Sequence, residues 1–584
     1  MRDTLKQIWR FVWIAATGPG RYFSLFLLAV IIACQLAAIQ VTLRQVQWSA
    51  DFFNALQKID GPAAITQIGV FAILVCISAS LYLIARYCKR LLQFRWRQRL
   101  SETLLHRWTV NKAYWFLHPS LRSEHSIDNP DQRIAEDCSM FPEFILGGVD
   151  GIGRTGVLDF IMSLIGLVSY VMLLWQLSTF ALQVSLFGFD FEIPRYMVWA
   201  APIYVLLSTV LTHLLGRQLP GLLMEEQRRE ADFRFALVNL RENASAIALS
   251  HGDAADRKVI ANRFDDLFGV WRRVIRREFI YGMFTRPYFQ SVLRIPTFLA
   301  LPAFLAGKVT LGGLTQLAAA FGNVVTTLSW LIFNYKFMSD LVATTRRLQG
   351  FMAATEGAAR PAGSLQRQVS TGDELTVRDL HIRAPDGRTL LEIPALSVKQ
   401  SETVWLSGAS GLGKSTLVKT LVGLWPQADG HITLPAGKLV FMPQQVYMPL
   451  GSLHEAAVYP ADPDSVPVET VERLLRAVGL GARLDAGDEN ASGLSVGEQQ
   501  RLAIVRLIVA KPDWVFADEA TSALDLETER SVMALLRDEL PQTTLIVIAH
   551  RSPQGLGEVR QVVLREDRSA QADIPAWAPQ FSVG

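Results

Sequence analysis

The stretch "VWLSGASGLGKSTLVK", residues 404–419, sets an apolar strand, a glycine-rich turn and a helix-forming run in one order. That is the pattern G-x-x-x-x-G-K-S in the context it requires. Glycines let the backbone curl, so the N–H groups of Gly408, Ala409, Ser410, Gly411, Leu412 and Gly413 surround one anion. Lys414 neutralises charge at the β and γ phosphates of a nucleotide, the Ser415 hydroxyl is placed to ligate Mg²⁺, and Thr416 stands behind them. The helix that begins near Lys414 adds the positive end of its dipole.

A second stretch completes the chemistry. In "WVFADEA", residues 514–520, four apolar residues form a buried strand that delivers Asp518 to the Mg²⁺ shell. Glu519 stands next to it, placed to polarise the attacking water. Adjacent acids at a strand end are otherwise solvated caps; the neighbouring phosphate loop favours the catalytic reading. Strand-like runs ("ELTVRDLHI", "ETVWLSG", "KLVFMPQ", "DWVFADEA", "TTLIVIAH") alternate with helical stretches, so residues 373–584 read as one α/β nucleotide-binding domain.

The remainder of the 584 residues is of another kind. Half of the whole chain is apolar and its net charge is only +3, which argues against a nucleic-acid partner and for the lipid bilayer. A helix needs about 20 apolar residues to cross a bilayer, and windows at 22–43, 63–85, 160–182, 196–216 and 309–335 meet that need. A weaker one, 287–307, contains Arg294 and two prolines. Six spans over residues 1–350 are therefore expected, then a linker at 351–372 rich in small residues. Arg and Lys crowd the loops after the second and fourth spans, which puts both termini and the nucleotide-binding domain in the cytoplasm. The first apolar run is too long for a secretory signal peptide. Cys34, Cys76, Cys88 and Cys138 lack metal-ligand spacing and read as packing residues.

Between the two nucleotide motifs lies "SGLSVGEQQRLAIVRLIV", residues 492–509. Its run L-S-V-G-E-Q-Q-R resembles the signature of ATP-binding cassette (ABC) proteins. Gln444 in "FMPQQVYMPLGSL" is similar to the Q-loop glutamine, "SALD" ending in Asp525 to the D-loop, and His550 in "VIAH" to the switch histidine. The resemblance implies a polytopic helical membrane domain of exporter type fused to an α/β P-loop cassette. It implies catalytic roles for Glu519, His550 and Gln444, Mg²⁺ contacts from Ser415, Gln444 and Asp518, and nucleotide contacts from Ser495, Gly497, Glu498 and Asp525. Because such cassettes face head to tail, one cassette and six spans imply a homodimer. Two departures stand out. Val496 and Glu498 occupy positions where the family commonly has glycine and glutamine, and Ala384, before "PDG", stands where an aromatic residue commonly stacks on adenine.

"DNPDQRIAED", residues 128–137, and "EEQRREADFRFALVNLRENASAIALSHGD", residues 225–253, resemble loop segments of the peroxisomal fatty-acyl half-transporters and the bacterial BacA/SbmA peptide-uptake family. "LPAFLAGKVTLGGLTQLAAAFGNVVTTLSW", residues 301–330, is similar to cassette-bearing bacterial members. That branch moves peptides, cobalamin or acyl-CoA esters, and implies ATP-driven transport across the inner membrane in an undetermined direction. Two rivals remain: an ion-gradient-driven carrier regulated by its cassette, and a membrane-tethered ATPase acting on a protein. For a cargo site the polar candidates are Arg294, Lys336 and Asp340. Lys336 and Asp340, four apart, are equally placed to pair with each other, Arg294 to snorkel to the membrane surface, and His213 to pack in the bundle.

Overall fold

In a computed structural model the described residues are 2–117, 129–148, 156–186, 189–291, 294–333, 336–357, 364–409, 411–449, 451–485 and 493–564. They fall into two compact units, Met1–Arg107 with Asp128–Ala353, and Trp108–Ile127 with Ala354–Gly584.

The first unit is helical. Arg21–Gln57, Gly61–Phe116, Val157–Leu177 and Tyr196–Glu242 are long and apolar enough to cross a bilayer. They cover the first, second and fourth expected windows and the third up to Leu177, after which the chain turns into the strand Ala181–Leu186, paired antiparallel with Phe189–Pro194. The fifth window is divided. Helix Asp253–Ser291 ends inside it, and an 11-residue apolar helix, Ile295–Leu305, carries the rest. Pro296 explains the restart, since a first-turn position has no use for the N–H that proline lacks. Arg294 caps this short helix and is exposed. The sixth window forms the 23-residue helix Leu311–Phe333, which has no charged residue.

Leu311–Phe333 lies against Arg21–Gln57 through a specific backbone approach. The Gly312 N–H donates to Asn54 Oδ1 at 3.0 Å and the Leu311 N–H to Gln57 Oε1 at 3.0 Å, so the neighbouring helix satisfies two of its first-turn donors. A Cβ on Gly312 would lie 2.1 Å from the Ala50 carbonyl oxygen. Below this approach Leu174, Met197, Ala201, Ala300, Ala320, Phe321 and Val325 form the apolar core.

Polar ties cross the same unit. Asp137, at the end of "DNPDQRIAED", is 1% exposed and accepts from Arg347 Nε at 2.9 Å and a terminal guanidinium nitrogen at 2.5 Å, with Arg133 at 3.4 Å. Asp128, at the motif's start, lies outside the described residues. Lys89 Nζ donates to Asp159 Oδ1 at 2.8 Å, and Gln35 Nε2 reaches the same oxygen at 3.2 Å. His213 lies on an exposed face of its helix rather than packed in the bundle. Asp340 is exposed; the Lys336 side chain lies outside the described residues, so their pairing does too. All four cysteines are free, and Cys76 is exposed rather than packed.

The second unit contains five parallel strands, β1 (Thr403–Ser407), β2 (Leu439–Met442), β3 (Trp514–Asp518), β4 (Thr544–Ile548) and β5 (Arg560–Val563), in the order β5-β1-β4-β3-β2. Each of β3 and β4 is buried along its whole length, as parallel strands covered on both faces must be. Alternation sorts their side chains into two cores. Val515, Ala517, Leu545 and Val547 pack with the helix Val496–Ala510, whereas Trp514, Phe516, Ile546 and Ile548 pack with Leu406, Leu412, Leu417 and Leu421. A four-stranded mixed sheet flanks them, in the order Leu365–Ser370, Ala428–Pro435, Glu374–Arg383, Thr389–Lys399.

Leu365–Ser370 falls inside the stretch read as a linker. It becomes a strand by pairing in parallel with Ala428–Pro435, beside Ser364, which donates to Asp429 Oδ1 at 2.7 Å. The segment from Trp108 joins this unit because Trp115 Nε1 donates to the Leu424 carbonyl at 2.6 Å and its ring lies 5.6 Å from Lys419 Nζ.

Gly312→Ala is expected to destabilise the chain by about 1–3 kcal/mol, because the new methyl meets a backbone oxygen that has little freedom to retreat. Gly69→Ala, whose Cβ meets nothing within 4 Å, is the control and is expected to leave stability unchanged or raise it by up to about 1 kcal/mol. Thermal unfolding of the purified full chain compares the two; equal midpoints would contradict the close approach.

Candidate active site

Strand register levels the site. Leu406 of β1 and Asp518 of β3 both stand opposite Ile548 of β4, so three strands end at one height. The phosphate loop leaves β1 there, and Gly411 and Gly413 adopt φ of +82° and +90°, which residues with side chains rarely do. Ser410 lies outside the described residues. Helix Lys414–Leu421 starts at Gly413, and the buried Lys414 folds back so that Nζ donates to the carbonyls of Gly408 at 2.6 Å and Ala409 at 3.0 Å. Leu412 is buried beneath the loop and Thr416 sits half-buried in the first helical turn.

By the alternation of β3, Asp518 falls on the face that carries this helix, and the nearby Ser415 hydroxyl favours the charged form of its carboxylate. Asp518 Oδ1 is buried with no hydrogen-bond partner. Burial pushes the Asp518 carboxyl above its ordinary range, and the charge of Glu519 adds to this against Ser415, Lys419 and Lys414. An orphaned carboxylate oxygen beside a hydroxyl is a donor pair suited to a hard divalent cation. Among the described residues no cluster of three or more His, Cys, Asp or Glu side chains would hold a metal unaided. Mg²⁺ is bound by one or two carboxylates together with substrate phosphates.

Two other expected residues, Gln444 and His550, meet at Glu519. Gln444 Nε2 donates to its Oε2 at 2.8 Å and His550 Nε2 lies 3.0 Å from its Oε1. Its backbone is left-handed, with φ of +48°, and its N–H donates to the Ile548 carbonyl at 2.9 Å. Such a conformation costs on the order of 1–3 kcal/mol and persists where the surroundings over-determine it. His550 is aimed by Trp405, whose Nε1 donates to the preceding carbonyl, that of Ala549, at 2.9 Å.

Ser495, Glu498 and Asp525 do not join that group. Ser495 caps helix Val496–Ala510 in a capping box with Glu498, and Arg483 holds both Glu498 oxygens at 3.1 Å. Arg483 foremost, with the Ser495 N–H, pulls the Glu498 carboxyl down to about 2. The acid at this position therefore serves as a capping-box carboxylate with its own arginine. Val496 is 59% exposed on the first helical turn, and Gly497 lies near the Ala523 carbonyl, 3.3 Å from where a Cβ would stand. Asp525 accepts from the N–H groups of Glu527 at 3.1 Å and Thr528 at 3.0 Å, capping helix Leu526–Glu539. Ala384 is buried and closes the "PDG" turn, accepting from the Gly387 N–H at 2.9 Å, so its side chain presents no ring to a base.

Sequence reasoning missed several residues that hold these loops. Gln500, 1% exposed, accepts from the Ala523 N–H at 2.9 Å and donates to Ser522 at 3.2 Å, tying the helix at Val496 to the loop after Glu519. Arg551 donates to Glu529 at 2.7 Å and to the Leu524 carbonyl at 3.1 Å. Arg506 donates to the carbonyls of Ala456 at 2.7 Å and Tyr447 at 3.1 Å, linking the same helix to the segment after Gln444. The one available signal was a charge or amide at a core position of a helical pattern.

Comparison with known proteins gives a consistent result. Residues 21–303 match the family described as ABC transporter transmembrane region 2, and residues 391–522 match the ABC transporter family. The inner membrane ABC transporter ATP-binding protein YddA of Escherichia coli is 33% identical, over 90% of this chain and 92% of its own. The human lysosomal cobalamin transporter ABCD4 is 26% identical over 96% and 93%, and the Arabidopsis thaliana chloroplastic ABC transporter D family member 2 is 25% identical over 94% and 85%.

The Glu498 carboxyl yields a pH test. Its ionisation lies at about 2 in the folded chain, against about 4.3 in an unfolded one. Its contribution to stability is thus fully present above about pH 4.3 and disappears as pH falls toward 2. Glu498→Gln is expected to be less stable than the parent chain at pH 7, with the gap narrowing between pH 5 and 3 in denaturant titrations. A gap that does not change with pH would show that the carboxylate is not held by Arg483.

Proposed function

We propose, on the premise that this chain belongs to the ABC transporter family with membrane region and ATPase in one polypeptide, that it is an ATP-driven pump. It works as a homodimer in the inner membrane, with both termini and the cassette cytoplasmic, and its cargo is peptide, cobalamin or acyl-CoA-like. One observation carries the reading: Gln444 and His550 grip the two oxygens of Glu519 at the end of the strand that brings Asp518 to Ser415.

Glu519 is the general base. Held by two donors, its carboxylate faces one direction and takes a proton from the attacking water, while the His550 Nε2–H keeps it from rotating away. Lys414 leaves the loop carbonyls to meet the β and γ phosphates, and the backbone N–H groups of the loop orient them. Ser415 and Asp518, with Gln444 Oε1, would hold Mg²⁺, and the orphaned Asp518 Oδ1 supports this. When bound, the ion neutralises charge that develops on the phosphates. Ser495 and Gly497 take no part in the phosphate loop of their own chain; in a head-to-tail pair they cover the nucleotide of the second copy, with Glu498 and Asp525 holding the helix ends rigid behind them.

Glu519→Gln is expected to lower ATP hydrolysis about 10²-fold or more while ATP binding survives, since an amide is nearly isosteric but accepts no proton. Lys414→Ala should weaken binding itself. Hydrolysis, nucleotide occlusion and solute accumulation in ion-tight proteoliposomes compare both with the parent chain. Near-normal ATP-dependent transport by Glu519→Gln would defeat the pump mechanism. Hydrolysis lost with gradient-driven transport retained would make the chain a regulated carrier instead.

A further inference from the structure

Within the helical unit, Arg21–Gln57 and Leu311–Phe333 diverge around a cleft of about 400 Å³, within the size range of small-molecule sites, about 300–1,000 Å³. Thr42, Gln45 and Val46 line one side, and Gly322, Asn323 and Thr326 the other; none of the lining residues is ionisable. The hydroxyls are already engaged, Thr42 donating to the Ala38 carbonyl at 3.0 Å and Thr326 to the Gly322 carbonyl at 2.8 Å. The side-chain amides of Gln45 and Asn323 have no hydrogen-bond partner among the described residues. Both stand on helices whose neighbours are apolar side chains, and an unpaired polar group there costs several kcal/mol if hydrocarbon surrounds it.

The chemistry of the lining selects among occupants. A phosphate or carboxylate would meet no cation, since the nearby Arg44 is exposed and donates to Gln47 at 2.9 Å instead. An acyl chain would leave both amides unpaired. A neutral amide offers one acceptor and at least one donor, the complement of what each side-chain amide presents. We propose that this cleft is a cargo subsite that takes an uncharged, amide-bearing part of the transported molecule. The proposal rests on the reading that the chain moves a cargo, and it narrows that cargo to amide-bearing molecules: peptide bonds, the carboxamide arms of a corrin and the pantetheine arm of an acyl-CoA share the chemistry, whereas a bare acyl chain lacks a complement here.

Gly322 provides the probe, because a Cβ there meets no atom within 4 Å, so Gly322→Cys adds a thiol to the cleft without strain. In the full chain reconstituted into vesicles, the rate of maleimide labelling above that of the parent chain is measured with N-acetyl-trialanine amide, cyanocobalamin or palmitate present. An amide-bearing probe is expected to slow labelling about tenfold at about ten times its Kd, and palmitate to have little effect. Adding Asn323→Leu should abolish the protection, as should Gln45→Met in a second variant. The response of each amide probe says which source of the shared chemistry is accepted.

Protection by palmitate alone, or by no probe, would overturn the proposal. So would a thiol that labels only after the two copies are dissociated, which would make the cleft a subunit interface. Labelling needs no ATP, so protection that persists without ATP-driven transport would fail the pump reading alone.

Discussion

Everything at the nucleotide site depends on the register of three parallel strands. Because Leu406 and Asp518 both face Ile548, the phosphate loop, the two acids and the His550 segment emerge side by side from one edge of the sheet. This is where open α/β sheets bind ligands, beyond the carboxyl ends of their strands. A slip of one residue in β3 would turn Asp518 away from Ser415 and exchange its side chains between the two cores. Fully buried β3 and β4 forbid that slip, since each buried Leu, Val or Phe contributes about 1.5–3 kcal/mol. The left-handed turn at Glu519 follows immediately, and its strain is tolerated because the Ile548 carbonyl holds the N–H from the neighbouring strand.

Around that edge, buried polar side chains make separate loops move as one body. Glu529 is 1% exposed yet bonded by both Arg551 and Thr521, so its charge is matched in place. Gln500 and Arg506 lie on opposite errands along one helix, the first to the loop after Glu519 and the second to the segment after Gln444. Any displacement of the helix that Ser495 caps is thereby transmitted to both sides of the Glu519 carboxylate. Satisfied networks of this kind rigidify, whereas a half-satisfied one is costly. The Glu498–Arg483 pair extends the same logic to the helix N-terminus.

The helical unit uses fewer but longer-range ties. Asp137 and Arg347 are 210 residues apart and meet in a two-point carboxylate–guanidinium bridge. Lys89, Asp159 and Gln35 join three of the long apolar helices through one oxygen, with Lys89 buried, whereas Arg294 and Asp340 are exposed. Removing one partner of such a pair strands the other, so these contacts specify how the helices pair more than they add net stability.

The phosphate loop, the acids at 518 and 519, four of the five strands of the parallel sheet and four long apolar helices were legible in the amino-acid order, because each depends on residues close together in the chain; the edge strand Arg560–Val563 was not. Pattern and φ preference act over a few residues, and the motifs carry their own strand and helix. Resemblance supplied Gln444 and His550, but not that both grip one carboxylate, since that requires strands β2, β3 and β4 to be neighbours. The strand at 365–370 was invisible for the same reason: without the partner at 428–435 its polar residues read as a linker. The start of a separate helix at Ile295 was hinted at by proline, yet a proline in an apolar run can kink a helix or start one, and local sequence does not choose. Asp137 with Arg347, Lys89 with Asp159, and the close approach of Gly312 to Ala50 were decided only in three dimensions. Charge complementarity and the fit of a missing side chain are properties of pairs, and nothing within either segment names the other.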